Sequence, residues 1–203
     1  MQQGCFKLVK PLRMSEKRAY QFAEKHADWM LSKLHLIPSR ILYSHGSRIP
    51  ILGEECTLTI HYDPDRKSTR VKITRDELLV TTNKQDPSKR IERYLKSEIK
   101  TYLTDLSFDK AARIGKSIRR ISVRDTRSRW GSCSPDGNLS YSWRLVFAPL
   151  SAIDYLVAHE TAHLKYLDHS PKFWELCEFL SSDYATGKNW IRDNGHILHR
   201  YGP

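Results

Sequence analysis

The chain has 203 residues, a hydrophobic fraction of 39%, a charged fraction of 28% and a formal charge of +11, the profile of a globular protein with one sizeable domain or two small ones sharing a core. No stretch approaches the roughly 18 apolar residues of a membrane span, and the opening MQQGCFKLVKPLRMSEKR lacks the apolar core of a secretory signal, so a cytoplasmic protein with no membrane partner is expected. The excess of positive charge points to an anionic partner such as nucleotide or nucleic acid, although the basic residues are spread along the chain rather than gathered in one tail.

Taken in chain order, Ser15 to Leu36 predicts a helix, with Ser15 as N-cap, apolar residues at 3.6-residue spacing and Pro38 marking the end. Ile49 to Leu52, Cys56 to Tyr62, Arg70 to Thr74 and Leu78 to Thr81 read as strands of an antiparallel meander, separated by turn residues. Arg90 to Ile114 carries a helical apolar stripe, with a break expected near Ser107. A hairpin follows: Arg127 to Cys133, a turn at Ser134-Pro135-Asp136-Gly137, and a return strand with Leu139, Tyr141, Trp143 and Leu145 on one face and Ser140, Ser142 and Arg144 on the other.

Ser151 and Asp154 resemble a capping box opening a helix over the 150s, faced by Ile153, Val157 and Leu164. Ser170-Pro171 predicts the N-cap and first turn of another, whose Phe173 and Trp174 are expected to pack as core. Asn194-Gly195 reads as a turn. The expected fold is α+β, with a helix plus β-meander portion at 1–87 and a catalytic portion at 88–203 forming one continuous structural unit. Cys5, Cys56, Cys133 and Cys177 form no CxxC pair, which argues against a zinc ribbon or a small disulfide framework, and Cys133 reads as a buried structural thiol.

The most informative stretch is His159-Glu160-Thr161-Ala162-His163, with His169 six residues further on. Histidines four apart on a helix lie on one face and can reach one cation. Neutral imidazole suits zinc, or another divalent transition metal, and three protein ligands leave the open position of a catalytic site. His169 is the natural third ligand. Glu160 lies outside the ligand set but close enough to take a proton from the water that such a metal activates, which makes it the candidate general base. In shuffled chains of this composition HExxH is expected only about 0.02 times, so chance is a poor explanation.

RWGSCS at 129–134, WRL at 143–145, AP at 148–149, IDYLVAHETAH at 153–163 and HSPKFW at 169–174 together resemble the YgjP-like (DUF45) metal-dependent hydrolases, and the chain is similar through them to the WLM and SprT-like proteases. The resemblance implies a zincin-like minimal core, an antiparallel sheet packed on the HExxH helix, with His159, His163 and His169 as metal ligands and Glu160 catalytic. Thr161 stands where the family usually has an aliphatic residue.

Three functions are carried forward. The first is a zinc metallopeptidase acting on a peptide or protein that pairs with the strand from Asn138 to Leu145. The second is a metal-dependent nucleotide pyrophosphatase or phosphohydrolase in which Arg127, Arg129 and Arg144 neutralise phosphates. The third is a nucleic-acid-associated protein, or a protease acting on DNA-bound proteins. Arg127, Arg129, Trp130, Ser140, Ser142 and Arg144 are the candidate substrate-binding residues, and Asp168 is a candidate for orienting a ligand imidazole.

Overall fold

The computed structural model describes residues 8–34, with side chains through Leu31, and 39–202. The chain divides into two compact units, Met1–Ser39 and Arg40–Pro203.

In the first unit the expected single helix is two, α1 (Glu16–Lys25) and α2 (Ala27–Leu34). Ser15 caps α1, its hydroxyl accepting from the Arg18 N–H. The break falls at His26, whose Nδ1 bonds the Phe22 carbonyl at 2.8 Å while its ring stacks on Phe22 at 4.3 Å, so a side chain occupies a carbonyl that a continuous helix would use. Leu36 and Pro38, the expected end of the helix, lie outside the described residues.

The second unit opens with β1 (Arg48–Ile51), β2 (Glu54–Tyr62), β3 (Arg70–Ile73) and β4 (Glu77–Thr82). The antiparallel meander is not what forms: the order is β1-β2-β4-β3, with β2 and β4 parallel. Burial accounts for the order. β4 contributes the fully buried Leu78 and Val80 and takes a central place, whereas β3, with Arg70 and Lys72 turned outward, takes the edge, where charged residues discourage further pairing. The β1–β2 turn uses left-handed Leu52 and Gly53, φ 50° and 89°, as a tight hairpin with matching twist requires. It docks on the chain that leads to the histidine helix, the Leu52 N–H donating to the Val146 carbonyl at 2.8 Å.

Helix α3 (Ser88–Arg113) runs unbroken through Ser107. Ile91, Leu95, Ile99 and Leu103 recur every fourth residue and are fully buried, and Ser107 continues that stripe by hydrogen bonding Tyr141 Oη at 3.0 Å, so the serine is satisfied without disturbing the helix. Residues on both sides of position 87 share one hydrophobic core.

A second sheet contains β5 (Arg120–Arg124), β6 (Gly131–Cys133) and β7 (Asn138–Ser142), in the order β5-β7-β6. The β6–β7 hairpin is antiparallel as expected, but β5 runs parallel to β7, so the sheet on the histidine helix is mixed rather than antiparallel. β7 stops at Ser142, and Trp143–Phe147 form a 3₁₀ turn. The run Trp143 to Ala148 is buried almost throughout, Arg144 alone being half-exposed. A strand with one solvated face cannot bury consecutive side chains, whereas a tight helical turn can.

Helix α4 (Leu150–Ala162) follows, then α5 (Pro171–Leu180), α6 (Tyr184–Asn194) and a 3₁₀ turn at Gly195–Arg200. The capping box does not form. Pro149 holds the N-cap position and Ser151 lies inside α4, because the Asp154 carboxylate is directed elsewhere: Oδ1 accepts from Lys110 Nζ of α3 at 2.5 Å, and Oδ2 from the Ser181 hydroxyl and the Ser182 N–H, both at 2.8 Å. Lys110 and Arg113 also donate to carbonyls at the end of α5, where the helix dipole favours cations. Ser170 and Pro171 start α5 as predicted. The Asn194-Gly195 turn is instead a continuation of α6 into the 3₁₀ turn. Among the described residues no helix is long and apolar enough to cross a membrane.

Candidate metal centre

Ala152 to Ala158 of α4 are all buried, as befits a helix enclosed on every side. Its last turn emerges at His159 and ends at His163, which keeps helical dihedrals of −64° and −16°. The chain then turns back through Asp168, whose carboxylate accepts from the Ser170 N–H at 3.4 Å, and His169 is returned to the face occupied by the other two.

The three imidazoles offer nitrogen atoms that all lie within 4.8 Å of one another. His159 Nε2 and His169 Nε2 are 3.2 Å apart. Two nitrogens sharing a tetrahedral ion at 2.0–2.1 Å stand about 3.3–3.4 Å apart, so this pair fits a common ion. His163 Nδ1 lies 2.9 Å from the Tyr166 carbonyl. Donation by Nδ1–H to that carbonyl fixes the tautomer and leaves Nε2 with its lone pair. Burial and the neighbouring imidazoles lower the His159 imidazolium to about 4, and burial also lowers that of His163. Both shifts favour the neutral ring, the form a metal takes.

Phe173 is fully buried beneath the triad, its ring centroid 5.0, 4.5 and 4.7 Å from those of His159, His163 and His169. Trp174 stacks on the exposed His169 at 5.3 Å. As expected, both rings pack on the core around α4 and α5, Phe173 fully inside it and Trp174 at its margin. Trp174 is half-exposed and flanks the triad.

Glu160 lies on the side of α4 that meets β6 and is 5% exposed. The contact depends on Gly131: a Cβ there would fall 2.6 Å from Glu160 Cγ and 2.7 Å from Cδ, and closer still to Oε1. Glycine in a strand marks such a close approach, which is the signal RWGSCS carried. Burial pushes the Glu160 carboxyl up to about 8, with the Arg129 guanidinium pulling the other way. A dication held by the adjacent imidazoles would draw it back down. Cys133 is half-buried, and burial followed by the Glu160 charge raises its thiol to about 11, far from a nucleophilic thiolate. Thr161 is fully buried.

The other candidate residues divide. Arg127 and Arg129 are exposed, and of the two only the charge of Arg129 acts on Glu160. Arg144 donates to Asp125 at 3.1 Å and to the Tyr201 carbonyl at 2.9 Å, and lies over the Trp143 ring. Trp130 packs on His199 at 5.0 Å and against Gly195, where a Cβ would come within 2.9 Å of its Nε1. Ser140 sits opposite Ser132 in the middle of the sheet, and Ser142 is fully buried. Asp168 accepts from the Ser170 N–H, and its charge acts on His163 and His169. Sequence reasoning also passed over Gly187 of α6. A Cβ there would strike the Ser151 carbonyl and come within 2.5 Å of Tyr155 Cβ. A mid-helix glycine costs about 1 kcal/mol against alanine, and here it permits α6 to close on α4.

A search of curated proteins found no match to the chain. Among solved structures, that of Pyrococcus abyssi abylysin, described as a metallopeptidase zymogen, is similar at 20% identity and a TM-score of 0.41, over 50% of this chain and 99% of that one. A family model, the YgjP-like metallopeptidase domain, matches residues 1–194, almost the full length. The chain therefore belongs to the YgjP-like metallopeptidase family, whose members are metal-dependent hydrolases.

Proposed function

We infer that this is a zinc metallopeptidase in which His159, His163 and His169 hold the ion and Glu160 is the general base. The observation that carries the reading is the convergence of three imidazole nitrogens within 4.8 Å at the end of α4, where the buried carboxylate of Glu160 follows His159 directly. A zinc ion so held would polarise a peptide carbonyl and acidify water at pH 7. Glu160 takes the proton of the attacking water on its carboxylate and passes it to the leaving amine. Its burial against β6 holds the carboxylate in one place.

The substrate's line of approach differs from the one the sequence suggested. β7 is the central strand and has no free edge. The edges among the described residues are β5 and β6, and β6 is the one that lies against α4. The Ser142 N–H donates to the Trp130 carbonyl at 2.8 Å and the Ser134 N–H to the Asn138 carbonyl at 2.9 Å, so in an antiparallel ladder Gly131 and Cys133 turn their backbone groups away from β7. An extended peptide adds there, next to Glu160. The phosphoanhydride alternative drew on Arg127, Arg129 and Arg144; Arg144 is committed to Asp125 and Tyr201, and the metallopeptidase family supports a peptide as the substrate.

The test is elemental analysis of untagged protein beside His169→Ala. About one equivalent of zinc is expected, lost or much weakened in the variant. Protein that takes up no metal, or a variant that holds it as tightly, would sink the three-histidine reading.

A further inference from the structure

Lys188 of α6 is half-buried. Its ammonium donates to Tyr184 Oη at 2.7 Å and lies 4.4 Å from the centre of the Trp174 ring and 4.9 Å from that of Tyr184. The close packing at Gly187 presses this turn of α6 against α4. Trp174 is in turn 5.3 Å from His169 and 5.7 Å from His159, so the ammonium lies within about 10 Å of both imidazole rings, about the screening length of 0.1 M salt.

Three other shielded cations face carboxylates: Lys110 has Asp154, Arg144 has Asp125 and Lys96 has Glu92. Among the described residues Lys188 has none. It is held by a hydroxyl and two aromatic faces, contacts that fix its position and leave its full charge. An ammonium has three donors, and the Tyr184 bond takes one of them. A second positive centre, unneutralised and next to a site built for a dication, is unfavourable unless an anion completes it.

We propose that Lys188 is a specificity residue that binds a carboxylate of the peptide substrate beside the metal centre, the Tyr184 hydroxyl and Trp174 ring fixing the ammonium in place. The inference rests on the metallopeptidase reading of the same site. A carboxylate reaches this position from one of two sources, the free C-terminus of the peptide or an Asp or Glu side chain next to the scissile bond. The chemistry is the same, a charge-assisted hydrogen bond in a partly desolvated place.

Binding alone tests the proposal, without need of turnover. Zinc-loaded protein is titrated calorimetrically with an N-acetylated dialanine bearing a free carboxylate, with the same peptide amidated, and with an amidated alanyl-aspartate. One of the two carboxylate peptides is expected to bind at least about tenfold tighter than the neutral amide, and which one it is identifies the source. Lys188→Met abolishes that preference and Lys188→Arg retains most of it. Equal affinity for all three peptides, no measurable binding of any, or a preference that survives Lys188→Met would each overturn the proposal. A purely structural role for Lys188 would weaken all three peptides alike. Metal content measured on the same preparations separates the two readings. Failure to bind zinc tells against the histidine site, whereas the peptide preference is read again in that protein and stands or falls by Lys188.

Discussion

Helix α4 carries two buried carboxylates, Asp154 and Glu160, 9% and 5% exposed, and their surroundings set them to opposite tasks. Burial alone would raise both carboxyls. At Asp154 it is outweighed by hydrogen bonds from Lys110, the Ser182 N–H and the Ser181 hydroxyl, which hold the group below its ordinary value. Around Glu160, among the described residues, no side chain or backbone group donates a hydrogen bond, and burial takes the carboxyl up to about 8. Both carboxylates are buried, yet one is a lock between helices and the other has no donor. What separates them is the supply of donors.

The largest expected effect lies at Glu160. Glu160→Gln lowers peptide hydrolysis by about 10²- to 10⁴-fold, the range of a general base, with no loss of fold. Its chelator-treated form also changes with pH in a defined direction. The raised carboxyl means that the stability of wild type is fully present below pH 4.5 and is lost as pH rises through about 8. Glu160→Gln removes that loss, as urea unfolding across this range will report. A variant that hydrolyses peptides at the wild-type rate would break the comparison from the catalytic side.

Next in size, Asp154→Asn costs about 3–5 kcal/mol, because it strands Lys110 in the interior without a counter-ion. The urea midpoint measures it. Replacing both partners, Asp154→Leu with Lys110→Met, recovers most of that loss, since an apolar pair needs no desolvation. If Asp154→Asn unfolded no more easily than wild type, the lock would be no lock.

Gly131→Ala sharpens the Glu160 half. The methyl has to displace the carboxylate or β6, so about 1–3 kcal/mol of stability is lost, together with activity beyond what that loss explains. The smallest effect is the acid limb of Asp154. Its lowered carboxyl contributes stability that is present above pH 3.8 and is lost as pH falls through the folded-state value. Unfolding followed between pH 5 and 2 in wild type and in the Leu–Met pair separates this slope from general acid unfolding.

The histidine motif was legible because its physics is local. Spacings of four on a helix and six across a turn put three imidazoles within reach of one another in any chain that folds that way. The stripe of α3, the Ser15 and Ser170 caps and the Ser134–Gly137 hairpin turn were readable for the same reason. Each depends on a few neighbouring residues. The failures share the opposite cause. Strand patterns reveal which face of β4 is buried but not that β2 lies beside it, so a parallel pair was read as a meander. Ser142 and Arg144 alternate with apolar neighbours like the outer face of a strand, yet the chain coils there because Trp143 and the run Leu145 to Ala148 all have a core to enter.

From the sequence alone, then, came the metal-binding chemistry, the family resemblance and most helices, since composition and short-range spacing are sufficient for them. The tertiary structure alone decided the rest: that Asp154 faces Lys110 rather than its own helix start, that Gly131 lets β6 lie on Glu160, that β6 rather than β7 is an edge strand, and that Lys188 stands beside the triad with no carboxylate among the described residues. Each of these is a contact between segments far apart in the chain, and the energy that selects it is desolvation and close packing, which no local pattern records.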